Sequence, residues 1–136
     1  MAIIVYNRQR ESHQDDPGNF RIYRPFVLSN PYSWDKGKET KAIYKVANRE
    51  EALKAYSHYF DLMYRSNLKF KKVVDIIYER YKSGEDVYLE CYCAPLPCHG
   101  DIIKEKLEKR LLKEKIEQND IFRQHNKTME GEVQST

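Results

Sequence analysis

Apolar positions recur along this chain with two spacings, and the alternation of the two lays out its elements. Residues 2–6 (AIIVY) form a short apolar run suited to a buried strand, central in a sheet or beside its centre. Asp16, Pro17, Gly18 and Asn19 are turn formers, and FRIYR at 20–24 then alternates apolar and polar residues as a second strand does. Residues 43–46 give a third. Asn48 with Glu51 three positions on reads as a capping box, followed by Leu53, Tyr56, Phe60, Met63 and Tyr64 at helical spacing to about Arg65. Asn67 restarts a helix carrying Phe70, Val73, Val74, Ile77, Tyr78 and Tyr81, which Gly84 closes as a C′ residue. Val87, Leu89, Cys91 and Cys93 then alternate with Asp86, Tyr88, Glu90 and Tyr92, the two-residue period of a pleated strand. Pro95 and Pro97 stop it near Cys93, because neither can donate a ladder hydrogen bond. Asp101 is a good N-cap, and Ile102, Ile103, Leu107, Leu111 and Leu112 trace an amphipathic helix through about Glu117. The order β, β, β, α, α, β, α predicts a small α/β layer with helices covering a sheet of about four strands.

Two stretches escape this pattern. PFVLSNPYSWDKGKE, residues 25–39, is broken by prolines and glycine, yet Phe26, Leu28, Tyr32 and Trp34 are apolar enough to pack. After Gln118 the periodicity fades into NDIFRQHNKTMEGEVQST, so residues 1–118 are expected to form a single α/β domain and 119–136 a polar C-terminal tail, partly disordered. Ile121 and Phe122 are expected to anchor its first part to the domain or to a partner. With 136 residues and 40 % hydrophobic content the chain holds one core. A net charge of +3, from 24 basic and 21 acidic residues, is too balanced for an obligatory nucleic-acid coat. No apolar run approaches the roughly 20 residues that span a bilayer, and MAIIVYNRQR lacks the apolar centre of a secretory signal. The expectation is a soluble cytoplasmic protein. Three cysteines crowded into eight positions favour thiol, metal or catalytic chemistry in a reducing compartment over a disulfide framework.

Those cysteines focus the candidate chemistry on residues 90–100, ECYCAPLPCHG, where a strand end meets a helix start. Free N–H groups and the positive end of the helix dipole favour anions there. Cys91, Cys93, Cys98 and His99 supply the donor types of a tetrahedral zinc site, although buried cysteines also serve as small core hydrophobes. Cys98 before a helix start is a candidate nucleophile of depressed pKa with His99 as base, against the plainer reading of His99 as a hydrogen-bond donor to ligand or backbone. Asp101 is either a cap or a group that binds a sugar hydroxyl or acts as general base. Arg24 and Arg49 suit a phosphate clamp, Asn30 a base or sugar contact, and Glu50 the dipole of its helix or, less simply, catalysis. The eleven tyrosines fall at helical spacing that favours core over base stacking.

RIYRPFVLSNPY (21–32), NREEALKAYSHYF (48–60) and VYLECYCAPLPCHGDII (87–103) together resemble the domain-of-unknown-function 4326 family of phage and prokaryotic proteins, over roughly residues 3 to 112. The third piece carries the pattern C-x-C-x-P-x-x-C-H-x-D, which is distinctive. The matching positions are Arg24, Asn30, Pro31, Arg49, Glu50, Cys91, Cys93, Pro95, Cys98, His99 and Asp101. The lysine-rich stretch DKGKETKAIYKVA departs from the short connection usual in the family. The resemblance implies a small Rossmann-like α/β protein, a two-layer or three-layer sandwich similar to nucleoside deoxyribosyltransferases and nucleotide-binding sensor domains. It leads to the expectation of a nucleotide or nucleoside-like ligand at Cys98, His99, Gly100 and Asp101, with cleavage or transfer at a nucleoside bond as the reaction if there is one, in a bacterial or phage-infected cytoplasm; the alternative, from the Cys and His residues themselves, is a zinc-stapled module that meets nucleic acid or a host protein.

Overall fold

The computed structural model describes residues 2–33, 44–45, 47–92, 94 and 98–134, with backbone alone for 33, 44–45 and 120–134. Along the chain run β1 (Ile3–Asn7), β2 (Asn19–Arg21), β3 (Tyr32–Ser33), β4 (Tyr44–Lys45), α1 (Arg49–Ser66), α2 (Leu68–Lys82), β5 (Val87–Cys91) and α3 (His99–Gln134). They fall into two compact units, residues 1–105 and 106–136.

The first unit is built on a three-stranded, all-parallel sheet in the order β1-β5-β2. Ile3 to Asn7 pair with Val87 to Cys91, and Asn19 to Arg21 pair with Tyr88 to Glu90. The N-terminal strand is therefore an edge, and β5 is the centre. A central parallel strand is covered on both faces, which is why Val87, Leu89 and Cys91 are buried and the intervening Glu90 is buried as well. Among the described residues this sheet has three strands, where about four are expected. FRIYR leaves the ladder after Arg21, with Ile22 N–H still bonded to the Glu90 carbonyl at 3.1 Å, and turns where Phe26 N–H meets the Tyr23 carbonyl at 2.9 Å. Of the strand expected at 43–46, the described residues Tyr44–Lys45 pair with Tyr32–Ser33 in a separate parallel ladder. Trp34 and most of the lysine-rich stretch after it lie outside the described residues.

The helices begin and end where local chemistry dictates. Asn48 Oδ1 accepts from Glu51 N–H at 2.9 Å, and Glu51 reaches back to Ala47 N–H at 3.1 Å. Asn67 closes α1, its N–H bonded to the Met63 carbonyl at 2.9 Å, and opens α2 by accepting from Phe70 N–H at 3.0 Å. Gly84 takes a positive φ of 94° just past α2, the left-handed conformation that lets its N–H reach the Tyr81 carbonyl at 3.1 Å. Tyr56, Phe70, Val74, Ile77 and Tyr78 of these helices are buried with Ile22, Leu28, Leu89 and Ile103, and the Tyr56 hydroxyl donates to the Leu28 carbonyl at 2.7 Å.

The start of α3 differs from the expectation of an Asp101 cap. Its first residue is His99, and Asp101, inside the first turn, reaches back so that Oδ2 accepts from Cys98 N–H at 3.0 Å. Gly100 explains the close seating of this turn on the sheet: a Cβ there would stand 2.8 Å from Val5 Cγ1 and 2.9 Å from Ile22 Cδ1. In the second unit the same helix runs beyond Glu117 to Gln134, carrying an Arg110–Glu114 ion pair of 3.5 Å one turn apart. Among the described residues no helix is long and apolar enough to cross a membrane.

Candidate functional site

The corner between β5 and α3 turns its chemistry inward. Cys91 is fully buried and donates to the Tyr6 carbonyl at 3.3 Å, while Cys98 donates to Cys91 Sγ at 3.8 Å. That contact, with burial added, pushes the Cys98 thiol well up, opposite to the depression that a helix start alone would produce. His99 donates from Nε2 to the Ile22 carbonyl and packs edge-on against Tyr56 with ring centres 5.0 Å apart. Burial brings its pKa down to about 4 despite the Ile22 carbonyl, and the nearby Arg24 charge lowers it further. The Gly100 backbone meets Val5 and Ile22, and Asp101 closes onto Cys98.

Arg24 and Asn30 come together as builders of a loop. Arg24 Nε donates to the Asn30 carbonyl at 3.0 Å and Nη2 to the Tyr32 carbonyl at 3.3 Å, while Asn30 Oδ1 accepts from Tyr32 N–H at 2.9 Å. Arg49 and Glu50 open α1, where exposed Glu50 pairs with Lys54 at 3.6 Å. Cys93, Pro95 and Pro97 lie outside the described residues. Among the described residues no group of three or more His, Cys, Asp or Glu side chains is placed to share a metal ion.

A different cluster gathers at the carboxyl ends of β1, β5 and β2, the position where ligands bind in open α/β sheets. At its centre is Glu90, whose side chain is 0 % exposed. Oε1 is met by the Tyr6 hydroxyl at 3.0 Å and by Asn19 Nδ2 at 3.1 Å. Tyr6 has one hydroxyl proton and a second acceptor, Asn19 Oδ1, at 2.6 Å, so edge and centre of the sheet share it. Oε2 is different. It makes no close hydrogen bond among the described residues: Arg8 Nε and Arg21 Nε stand 3.8 and 3.9 Å away, and the Tyr23 hydroxyl, itself an acceptor from Arg8, is the further donor that acts on the carboxylate.

Burial alone would raise the Glu90 pKa, but hydrogen bonds from Asn19, Tyr6 and Tyr23 and the charge of Arg8 outweigh it, so the group stays below the ordinary carboxylate range. Burial and the Glu90 carboxylate together push Tyr6 up to about 12. Glu90 is thus an anion and Tyr6 a neutral donor at neutral pH.

Arginines and aromatic rings gather around this carboxylate. Arg8 donates to the Tyr23 hydroxyl at 2.8 Å and the Tyr92 hydroxyl at 3.0 Å, and Tyr23 packs edge-on against Tyr92 and Phe26 at 4.8 and 5.2 Å. The Arg21 guanidinium lies 5.6 Å from the Phe26 ring centre. Arg8, Arg21 and Tyr92 remain 32, 47 and 46 % exposed. Beside it His13 stacks on Tyr88 at 4.1 Å and meets Tyr6 edge-on at 4.9 Å. Two guanidiniums against one carboxylate suit an anionic ligand, and the ring faces suit a planar one.

The sequence reading put Glu90 on the polar face of its strand and missed this cluster. The available signal was a lone acid between Tyr88 and Tyr92 in a strand otherwise apolar.

A family model described as a domain of unknown function (DUF4326) matches residues 5–109. Neither a curated protein nor a solved structure matches the chain.

Proposed function

The chain belongs to the domain-of-unknown-function 4326 family, a membership that brings no activity with it, and we propose that it binds a nucleotide or nucleoside-like ligand at the carboxyl edge of its parallel sheet. The observation that carries this reading is the buried, ionised Glu90 carboxylate at the strand ends, gathered with Arg8, Arg21, Tyr23 and Tyr92, its Oε2 3.8 and 3.9 Å from the two arginines. A buried, ionised group of shifted pKa at the strand ends of a parallel sheet marks a candidate functional site. Phosphate meets the arginines, a planar base lies against the exposed tyrosine faces, and the sugar between them faces Glu90. The site thereby moves from the helix start expected at Cys98–Asp101 to the strand ends beside it, in keeping with a Rossmann-like architecture. If turnover accompanies binding, cleavage or transfer at a nucleoside bond is the reaction class to assay.

Thermal unfolding of the full chain with nucleosides, nucleoside mono- and diphosphates and inorganic phosphate tests the proposal. Ligand at a hundred times Kd stabilises by about 2.7 kcal/mol. A concentration-dependent rise in Tm with at least one nucleoside or nucleotide, absent with phosphate alone, is expected. No rise with any of them rejects the reading.

One observation favours the zinc-stapled alternative: Cys91 and Cys98 place their sulfurs 3.8 Å apart. It requires Cys93 and the release of His99 from the Ile22 carbonyl. One zinc per natively purified chain, with unfolding on chelation, would favour it over the pocket.

A further inference from the structure

We infer that the sheet edge takes its nucleotide as one unit of a single-stranded nucleic acid, with bases stacked on Tyr92 and Phe26 and phosphates held by Arg8, Arg10 and Arg21. The inference deepens the reading that this edge binds a nucleotide, and rests on it.

The groups that would meet a ligand here stand in the open. Sites for free small molecules are clefts that bury roughly 70–90 % of their ligand. Tyr92 and Phe26, by contrast, are 46 and 38 % exposed, and Val27 beside Phe26 is 42 % exposed. Arg21 is 47 % exposed and Arg10 lies on the surface as well. A lone nucleotide on such a surface keeps one side in water, and its few contacts must offset the whole loss of its translational freedom. The units of a strand share that cost, because binding one holds its neighbours close to the next contact.

The same groups are joined into one surface. Tyr23 packs edge-on against both Tyr92 and Phe26, so the two exposed rings belong to a single aromatic cluster. Arg8 lies over Tyr23 and Tyr92, 5.2 and 5.5 Å from their ring centres, and donates to both hydroxyls, while Arg21 lies over Phe26. Asn7 Nδ2 holds the Tyr92 carbonyl at 3.0 Å, and the turn that starts at Asn7 carries Arg10. Rings and guanidiniums are thus interleaved, as bases and phosphates are along a strand. Buried Glu90 offsets one of the three arginine charges. An acidic peptide would match the arginines and leave the rings uncovered. A duplex would offer phosphates but keep its base faces inside the stack. A single strand satisfies both sets of groups.

Fluorescence anisotropy of the full chain with a labelled oligothymidylate of about eight nucleotides, a length that one small domain can cover, tests the inference. The oligonucleotide is expected to bind at least about tenfold more tightly than thymidine 5′-monophosphate added as competitor. With three arginines engaged, log Kd should rise with log salt concentration at a slope of about 2. Tyr92→Ala and Phe26→Ala should each weaken binding by about 5- to 150-fold, the effect of losing one stacked base. Should either variant fail to fold, as judged by circular dichroism, the ratio of oligonucleotide to mononucleotide affinity in the parent decides. A mononucleotide that binds as tightly as the oligonucleotide would overturn the inference and leave the nucleotide site standing. A duplex or a polyglutamate of equal charge that competes as well as the single strand would overturn it too, since charge alone would then govern binding. Absence of binding by mononucleotide and oligonucleotide alike would instead reject the underlying site and the inference with it.

Discussion

The Tyr6 hydroxyl stands 3.0 Å from Glu90 Oε1, joining the edge strand to the central strand through side chains as well as through the backbone ladder. The bond has a neutral donor and a charged acceptor, both shielded from water, the combination in which a hydrogen bond contributes most. Replacing Tyr6 by Phe leaves Glu90 with one donor fewer. The expected loss is about 1.5–3 kcal/mol of folding stability, read by urea denaturation at pH 7. A variant as stable as the parent would mean that Asn19, Tyr23 and the nearby arginines suffice to hold the carboxylate.

His99 gives the fold an acid-sensitive element. Its folded pKa of about 4 lies below the value of about 6.5 for a free imidazole, so the unfolded chain binds the proton more readily. The stabilising contribution is complete above about pH 6.5 and declines as pH falls towards 4, by on the order of 3 kcal/mol in total. Glu90, also depressed, loses its contribution only below the carboxylate range, so the two windows separate. Stability measured from pH 8 to 4 should slope downward below about 6.5 in the parent and flatten in His99→Gln.

Gly100→Ala sets helix propensity against packing. Alanine improves the helix by about 1 kcal/mol, but its methyl group falls 2.8 Å from Val5 and 2.9 Å from Ile22. Overpacking of this kind typically costs about 1–3 kcal/mol, so net destabilisation is expected in denaturation. A gain in stability would show that α3 lifts off the sheet at little cost.

Two arginines three residues apart should behave oppositely. Arg24 is bonded to the carbonyls of Asn30 and Tyr32, so Arg24→Ala is expected to lower Tm while ligand affinity stays within about twofold in the folded fraction. Arg21 sits half exposed over Glu90, so Arg21→Ala should leave Tm nearly unchanged and weaken nucleotide binding by about tenfold or more, with a shallower salt dependence. The reverse pattern would return the phosphate contact to Arg24.

What was legible in the sequence was local. Asn48, Asn67 and Gly84 announce helix ends because a cap is made within three or four residues of the group that it satisfies. The alternation of Val87, Leu89 and Cys91 gave the strand for the same reason. The pairing of β4 with β3 and the burial of Glu90 depend on which distant segments lie alongside, and no periodicity reports that. Glu90 is buried because β1 and β2 flank it with Tyr6 and Asn19, 84 and 71 residues away in sequence. The inward turn of Cys98 and His99 likewise follows from Gly100 allowing α3 to press against Val5 and Ile22.

Asn67 has a consequence for how this fold can change length. One residue, with φ −121° and ψ 113°, is the whole junction between two helices. Such a joint has no slack: an inserted amino acid would lengthen it and displace α2 from the position in which Phe70, Val74 and Ile77 fill the interior. Relatives of different size are therefore expected to gain or lose residues between β3 and β4, and to keep the elbow after Ser66 at a single amino acid.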